Sequence, residues 1–77
     1  MQEIKVLGTG CAGCKALYAT VEKAVADLGL NVNLVKEEDI MKIMAYNVMT
    51  LPALVIDEQV VAKGKLSYEQ VKELLSK

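Results

Sequence analysis

A strand-like segment, a helix-like segment and a second strand-like segment follow one another in the first 35 residues. Apolar and polar residues alternate over 3–7 and again over 31–35, as they do in half-buried strands. Between these segments, apolar residues recur at steps of three and four from Ala12 to Leu28, and Gly29 follows as a C-terminal cap. A strand–helix–strand unit within one sheet is nearly always a right-handed crossover, so we expect two parallel strands.

The second half of the chain predicts a short helix, a hairpin and a closing helix. Acidic residues at 37–39 suit a helix N-terminus, and the apolar residues after them predict a helix to about Tyr46. Apolar runs at 53–56 and 60–62 flank a polar stretch that lacks the glycine usual in a tight turn. Ser67 and Gln70 form a capping box before the last helix. The predicted fold class is α/β, in the order βαβαββα, with a four-stranded mixed sheet and helices on both faces.

Methionines at helical spacing usually fill a core, so we expect Met41 or Met44 to be buried. Met49 and Leu51 lie close to Pro52 in the sequence and are better candidates for an exposed rim at which a partner docks.

Length and charge exclude several functional classes. A chain of 77 residues is expected to form a single domain, 1–77. Nine basic and ten acidic residues leave no basic stripe for nucleic acid, and charges interrupt every apolar run before it could span a membrane. The first residues lack the pattern of a signal peptide, so we expect a cytoplasmic protein. We also expect the protein to be a monomer.

Cys11 and Cys14 are the only cysteines, and they stand between the first strand and the first helix. In a reducing cytoplasm such a pair is more often catalytic or metal-binding than structural. A spacing of three puts both sulfurs on the first turn of the helix, where they can form a disulfide and where the helix dipole favours a thiolate. We therefore predict that Cys11 is the exposed nucleophile and that Cys14, one turn further in, is the resolving thiol.

The same two thiols leave other functions open. Two thiolates can hold a soft monovalent ion such as Cu(I), as in heavy-metal chaperones, although those domains have the order βαββαβ. Zinc is disfavoured because a closed site needs four ligands and the chain has no histidine. A non-catalytic interaction domain, with dispensable cysteines, is the third alternative.

The strand before the CxxC motif, the helix after it and the run Leu51-Pro52-Ala53-Leu54-Val55-Ile56-Asp57 together resemble thioredoxin. With Gly8-Thr9-Gly10 before Cys11 and a late Gly64, the chain most resembles the small, glutaredoxin-sized thioredoxin-like proteins of archaea and bacteria, sometimes called redox-active disulfide proteins. The resemblance implies a thiol–disulfide oxidoreductase without a cofactor, a protein disulfide as substrate and a reductase as second partner. It also implies a cis Pro52 beside the motif, with the backbone of Leu51 available to an incoming peptide. The implied substrate-binding residues are Thr9, Gly10, Ala12, Gly13, Leu51, Pro52 and Gly64.

The chain departs from the larger thioredoxins at several positions. No tryptophan precedes Cys11, and Ala12-Gly13 replaces Gly-Pro between the cysteines. Lys5 occupies roughly the region in which thioredoxins carry a buried acid, so neither the reduction potential nor the direction of electron flow carries over. Arginine is absent, which favours a protein partner over glutathione.

Overall fold

The computed structural model describes residues 3–10, 12–49, 51–64 and 66–76. Its elements are β1 (Glu3–Leu7), α1 (Ala12–Leu28), β2 (Asn33–Glu37), α2 (Ile40–Met44), β3 (Ala53–Ile56), β4 (Gln59–Lys63) and α3 (Tyr68–Leu75). The predicted order βαβαββα is confirmed. None of the helices in the described part of the chain is both long enough and apolar enough to cross a membrane.

The four strands form one mixed sheet in the order β2-β1-β3-β4. β1 is parallel to β2 and antiparallel to β3, and β4 pairs antiparallel with β3. The register places four residues side by side across the sheet: Glu37, Leu7, Ala53 and Lys63. We call this row the motif edge, because the segment with the two cysteines begins directly beyond it.

Helices cover both faces of the sheet, as predicted. On one face α1 and α3 pack over the strands, and the buried residues there are Ile4, Val6, Leu17, Val21, Ala24, Leu54, Val71 and Leu75. On the other face α2 covers a smaller cluster of Leu7, Ile43, Val48, Ala53 and Val55. Successive strand residues point to opposite faces, which is why Ile4 and Val6 lie under α1 while Leu7 lies under α2.

The second strand begins and ends two residues later than predicted. Each residue of β1 has a partner in β2, from Glu3 opposite Asn33 to Leu7 opposite Glu37, so strand pairing rather than local alternation sets the bounds. The backbone N–H of Gly8 also donates to the carbonyl of Glu37, at 3.0 Å. Glu37 is therefore a strand residue, and Asp39 alone of the acids caps α2, accepting from the N–H of Met41 at 2.9 Å.

The expectation that Met41 or Met44 is buried is wrong. Met41 is 73% exposed and Met44 is 62% exposed, and Ile40 is half exposed as well. α2 has only five residues, so a single position, Ile43, reaches the sheet while the other side chains face solvent. Met49 is 98% exposed, in agreement with an exposed rim near Pro52.

The β3–β4 turn consists of two non-glycine residues with positive φ. Asp57 has φ 49° and Glu58 has φ 70°, a backbone conformation that is uncommon for residues other than glycine, asparagine and aspartate. Hydrogen bonds on both sides hold the turn: Glu3 N–H donates to Asp57 Oδ1 at 3.0 Å, and Asp57 N–H donates to the Glu3 carbonyl at 2.9 Å.

The capping box at the start of α3 is present as predicted. Gln70 N–H donates to the Ser67 hydroxyl at 3.2 Å, and Ser67 N–H donates to Gln70 Oε1 at 2.9 Å. Two N–H groups that the helix itself leaves without partners are thereby satisfied.

Candidate active site

The cysteine motif lies where β1 gives way to α1. Cys14 is in the first turn of α1 and is 1% exposed, whereas Ala12, also in that turn, is exposed. Cys11, the predicted nucleophile, lies outside the described residues. Cys14 is disulfide-bonded in this structure, and its sulfur is shielded from solvent between the first turn of α1 and the end of β1.

The backbone of β1 continues into Gly8, which touches the side chain of Cys14. A Cβ built on Gly8 would lie 2.6 Å from the Cβ of Cys14 and closer still to its sulfur. Real Cβ atoms do not approach other atoms so closely, so a side chain at this position would displace either Cys14 or the strand. A glycine at residue 8 therefore allows the helix to carry its cysteine directly against the strand.

Pro52 lies on the other side of the motif. The Leu51–Pro52 peptide bond is cis, as the resemblance implied, and Pro52 is buried. A Cβ on Gly13 would be 3.7 Å from Cδ of Pro52, an ordinary van der Waals contact, so the two residues face each other. Gly64 N–H donates to the carbonyl of Pro52 at 2.6 Å. The structure thus brings together Gly13, Pro52 and Gly64, which are separated in sequence, and Leu51 beside them is half-buried.

Thr9 and Gly10 form the bend between β1 and the motif. Thr9 is exposed, and Gly10 has φ +94°, a backbone conformation that residues with a side chain rarely adopt. The carboxylate of Glu38 reaches this bend: its Oε2 is 3.5 Å from the point at which a Cβ on Gly10 would lie. Sequence reasoning assigned Glu38 only to a helix N-terminus. The parallel pairing of β1 and β2 is the signal that could have placed it beside the motif.

Lys5, in the middle of β1, belongs to a polar cluster beside α2. Its ammonium donates to Tyr46 Oη at 2.9 Å and to Glu58 Oε1 at 3.1 Å, and it lies 3.3 Å from Glu3 Oε1. The Tyr46 hydroxyl in turn donates to Glu58 Oε2 at 2.9 Å. The cluster therefore links β1, the turn after α2 and the β3–β4 turn.

These contacts shift the ionisation of two members of the cluster. The hydrogen bond to Tyr46, followed by that to Glu58, raises the pKa of Lys5 above its ordinary value and outweighs the opposing effect of burial. The hydrogen bond from Lys5, followed by that from Tyr46, lowers the pKa of the exposed Glu58 carboxyl. Both groups are charged at neutral pH, so the cluster is an ion pair bridged by a hydroxyl.

A cavity of about 390 Å³ lies beside this cluster and is lined by Lys5, Glu37, Lys42, Ala45, Tyr46 and Glu58. Lys5 points to the α2 face of the sheet, whereas Ile4 and Val6 on either side of it point to α1, the helix that carries Cys14. The cavity and the cysteine motif are therefore on different faces. Within residues 3–10, 12–49, 51–64 and 66–76, no three His, Cys, Asp or Glu side chains are grouped as a metal site would require.

Comparison with known proteins agrees with this fold. The family model described as "Thioredoxin domain" matches residues 2–76. A protein of Methanocaldococcus jannaschii named "Thioredoxin" is 38% identical over 76 residues, which are 97% of this chain and 87% of that protein. A protein of Methanothermobacter thermautotrophicus, also named "Thioredoxin", is 32% identical over 77 residues, which are 99% of this chain and 100% of that protein. The chain therefore belongs to the thioredoxin-domain family and is a small thioredoxin-like redox protein.

Proposed function

We propose that this chain is a thiol–disulfide oxidoreductase that exchanges a dithiol/disulfide pair with a partner protein through Cys11 and Cys14. The observation that carries the proposal is the position of Cys14. It is buried on the first turn of α1 against Gly8, and its neighbour Gly13 faces the cis Pro52. A helix start lowers the pKa of thiols, and a bare glycine backbone lets another chain approach. Membership of the thioredoxin-domain family supports the same chemistry.

The proposed reaction has two exchange steps. The Cys11 thiolate attacks one sulfur of the substrate disulfide, and the other substrate sulfur leaves as a thiolate and takes up a proton. Cys14 then loses its proton and attacks the sulfur of Cys11, which releases the second substrate sulfur as a thiolate. Two electrons pass from the dithiol to the substrate, and Cys11 and Cys14 end as a disulfide. A reductase must then return this disulfide to the dithiol, and the same steps in reverse oxidise a partner dithiol.

The residues around the motif have proposed roles in binding the substrate chain. Thr9, Gly10, Ala12 and Gly13 would lie against the segment that carries the substrate disulfide, and the backbone of Leu51 would pair with it. Pro52, which accepts a hydrogen bond from Gly64, supports this backbone from below. We further propose that the protein acts as one domain in the cytoplasm, where its cysteines would be kept reduced.

The test measures how fast wild-type protein, Cys11→Ser and Cys14→Ser reduce a protein disulfide when a small dithiol supplies the electrons. We expect Cys11→Ser to reduce the disulfide no faster than the dithiol alone does. In a separate incubation without the small dithiol, reduced Cys14→Ser should accumulate a mixed disulfide with the substrate, since no resolving thiol is left. Circular dichroism checks that both variants are folded. Full activity of Cys11→Ser would overturn its assignment as nucleophile.

Binding of Cu(I) by the same two thiolates is the alternative function. The observed order βαβαββα supports the redox function over it, because copper chaperones have a hairpin directly after the first helix. Competition with a strong Cu(I) chelator tests the alternative, and failure to take up the metal would remove it.

A further inference from the structure

We propose that Glu38 is a specificity-determining residue of this oxidoreductase, and that its carboxylate favours substrate proteins with a lysine or arginine beside the reactive cysteine. The inference rests on the proposed function, because it concerns the substrate that would reach the cysteine motif. It assigns a role to a side chain which the exchange steps themselves do not use.

The first argument is distance. Glu38 Oε2 is 3.5 Å from the point at which a Cβ on Gly10 would lie, and Gly10 directly precedes Cys11. A carbon–carbon bond is about 1.5 Å long, so this carboxylate oxygen is within about 5 Å of the Cα of Gly10. A basic side chain on a residue next to the substrate cysteine can reach a carboxylate at this position, because lysine and arginine carry their charge on long, flexible stems.

The second argument is that the backbone on both sides of Glu38 is fixed while its carboxylate is available. The carbonyl of Glu37 accepts from Gly8 N–H at 3.0 Å, and the Glu37 carboxylate accepts from Asp39 N–H at 3.2 Å. The Asp39 carboxylate caps α2. Glu38 is exposed, and no described residue donates a hydrogen bond or forms an ion pair with its carboxylate. Of the three consecutive acids, Glu38 is thus the one whose carboxylate accepts no hydrogen bond from a described residue.

The third argument is that charge around the motif is unequal. Lys63 ends β4 at one end of the motif edge, and Glu38 follows β2 at the other end, where β2 leads into α2. The expected preference is therefore for a basic residue on the Glu38 side of the substrate cysteine, and not for basic proteins in general.

The experiment uses three disulfide peptides that are identical except for Lys, Gln or Glu beside the cysteine. Values of kcat/KM are measured for wild type, Glu38→Gln and Glu38→Lys, with Glu22→Gln as matched control, since Glu22 is an exposed acid further along α1. A neighbouring charge also alters the intrinsic reactivity of a cysteine, so each rate is divided by the rate of the same peptide with dithiothreitol.

We expect wild type and Glu22→Gln to prefer the Lys peptide over the Glu peptide by about two- to five-fold, the range typical of an exposed ion pair. Glu38→Gln should remove the preference, and Glu38→Lys should reverse it. The wild-type preference should also shrink between about 0.05 and about 1 M salt, because the Debye length falls to about 3 Å.

Equal corrected rates of wild type with all three peptides would overturn the role of Glu38 and leave the redox function standing. A preference that survives in Glu38→Lys would overturn it in the same way. Failure of the wild type to reduce any of the peptides, or a folded protein disulfide, would instead remove the oxidoreductase function and this inference with it.

Discussion

Replacing Gly8 with alanine tests the contact between β1 and the cysteine helix. The new Cβ would lie 2.6 Å from the Cβ of Cys14, about 1 Å short of the 3.5–4.0 Å at which carbon atoms pack best. Neither partner can move alone, because Gly8 N–H is bound to the Glu37 carbonyl and α1 is anchored by Leu17 and Val21. Overpacking of this kind costs about 1–3 kcal/mol.

This cost is large for a chain of this length. At about 0.05–0.15 kcal/mol per residue, the whole free energy of unfolding should be roughly 4–12 kcal/mol. A loss of about 2 kcal/mol should lower Tm by roughly 8–16 °C in a domain of this size. Urea unfolding followed by far-UV circular dichroism measures the free-energy change, in separate series with the cysteines reduced and oxidised.

Gly13→Ala is the matched control for Gly8→Ala. Its Cβ would be 3.7 Å from Pro52 Cδ, which is an ordinary contact, and alanine is the better helix former by up to about 1 kcal/mol. We expect Gly13→Ala to be as stable as wild type or more stable. A Gly8→Ala protein within about 0.5 kcal/mol of wild type would refute the steric reasoning. Equal losses in both variants would show that glycine as such, rather than the contact with Cys14, matters.

Three further substitutions test the ion-pair cluster, the core and the helix cap. Because Lys5 lowers the pKa of Glu58, the stabilisation by that carboxylate is present above its ordinary pKa of 4.5 and is lost as pH falls through the lowered value. The stability difference between wild type and Glu58→Gln, from urea midpoints, should therefore be larger at about pH 7 than at about pH 3, and a difference independent of pH would contradict this. Leu54 is fully buried, so Leu54→Ala should lower the free energy of unfolding by about 2–5 kcal/mol in urea titrations; a loss below about 1 kcal/mol would contradict its place in the core. Ser67→Ala removes the hydroxyl that caps α3 and should cost about 0.5–2 kcal/mol in the same titrations, and an unchanged midpoint would show that the cap is dispensable.

The parts of the fold that depend on local patterns could be predicted from the sequence. β1 and α1 have the predicted bounds because alternation, helical spacing and a terminal glycine define them within a few residues. The capping box of α3 is equally local. β2 was displaced by two residues because its bounds depend on pairing with β1, which local alternation does not contain.

Around the cysteine motif, too, local features could be predicted from the sequence and long-range contacts could not. The place of Cys14 on the first turn of a helix follows from local sequence, and the cis Pro52 followed from the resemblance. Glu38 was not placed beside Gly10, because the parallel pairing of β1 and β2 was expected but its register, with Leu7 opposite Glu37, is not contained in local alternation.

The ion-pair cluster likewise joins distant parts of the chain: Lys5 is 41 residues from Tyr46 and 53 from Glu58. Nothing in a periodic pattern signals such a contact. The methionines of α2 were misplaced because helical spacing does not reveal that a helix of five residues buries only one side chain.

The unequal cores on the two faces of the sheet have a consequence for native-state hydrogen exchange. α1 and α3 share an extensive apolar cluster with the central strands, whereas α2 is anchored mainly through Ile43. Free energies of local opening follow the amount of apolar contact that must be broken. Amide protons of α2 should therefore exchange through small fluctuations, and those of β1 and β3 only through global unfolding. α2 can then open locally at little cost while the strand that leads to the cysteines stays closed.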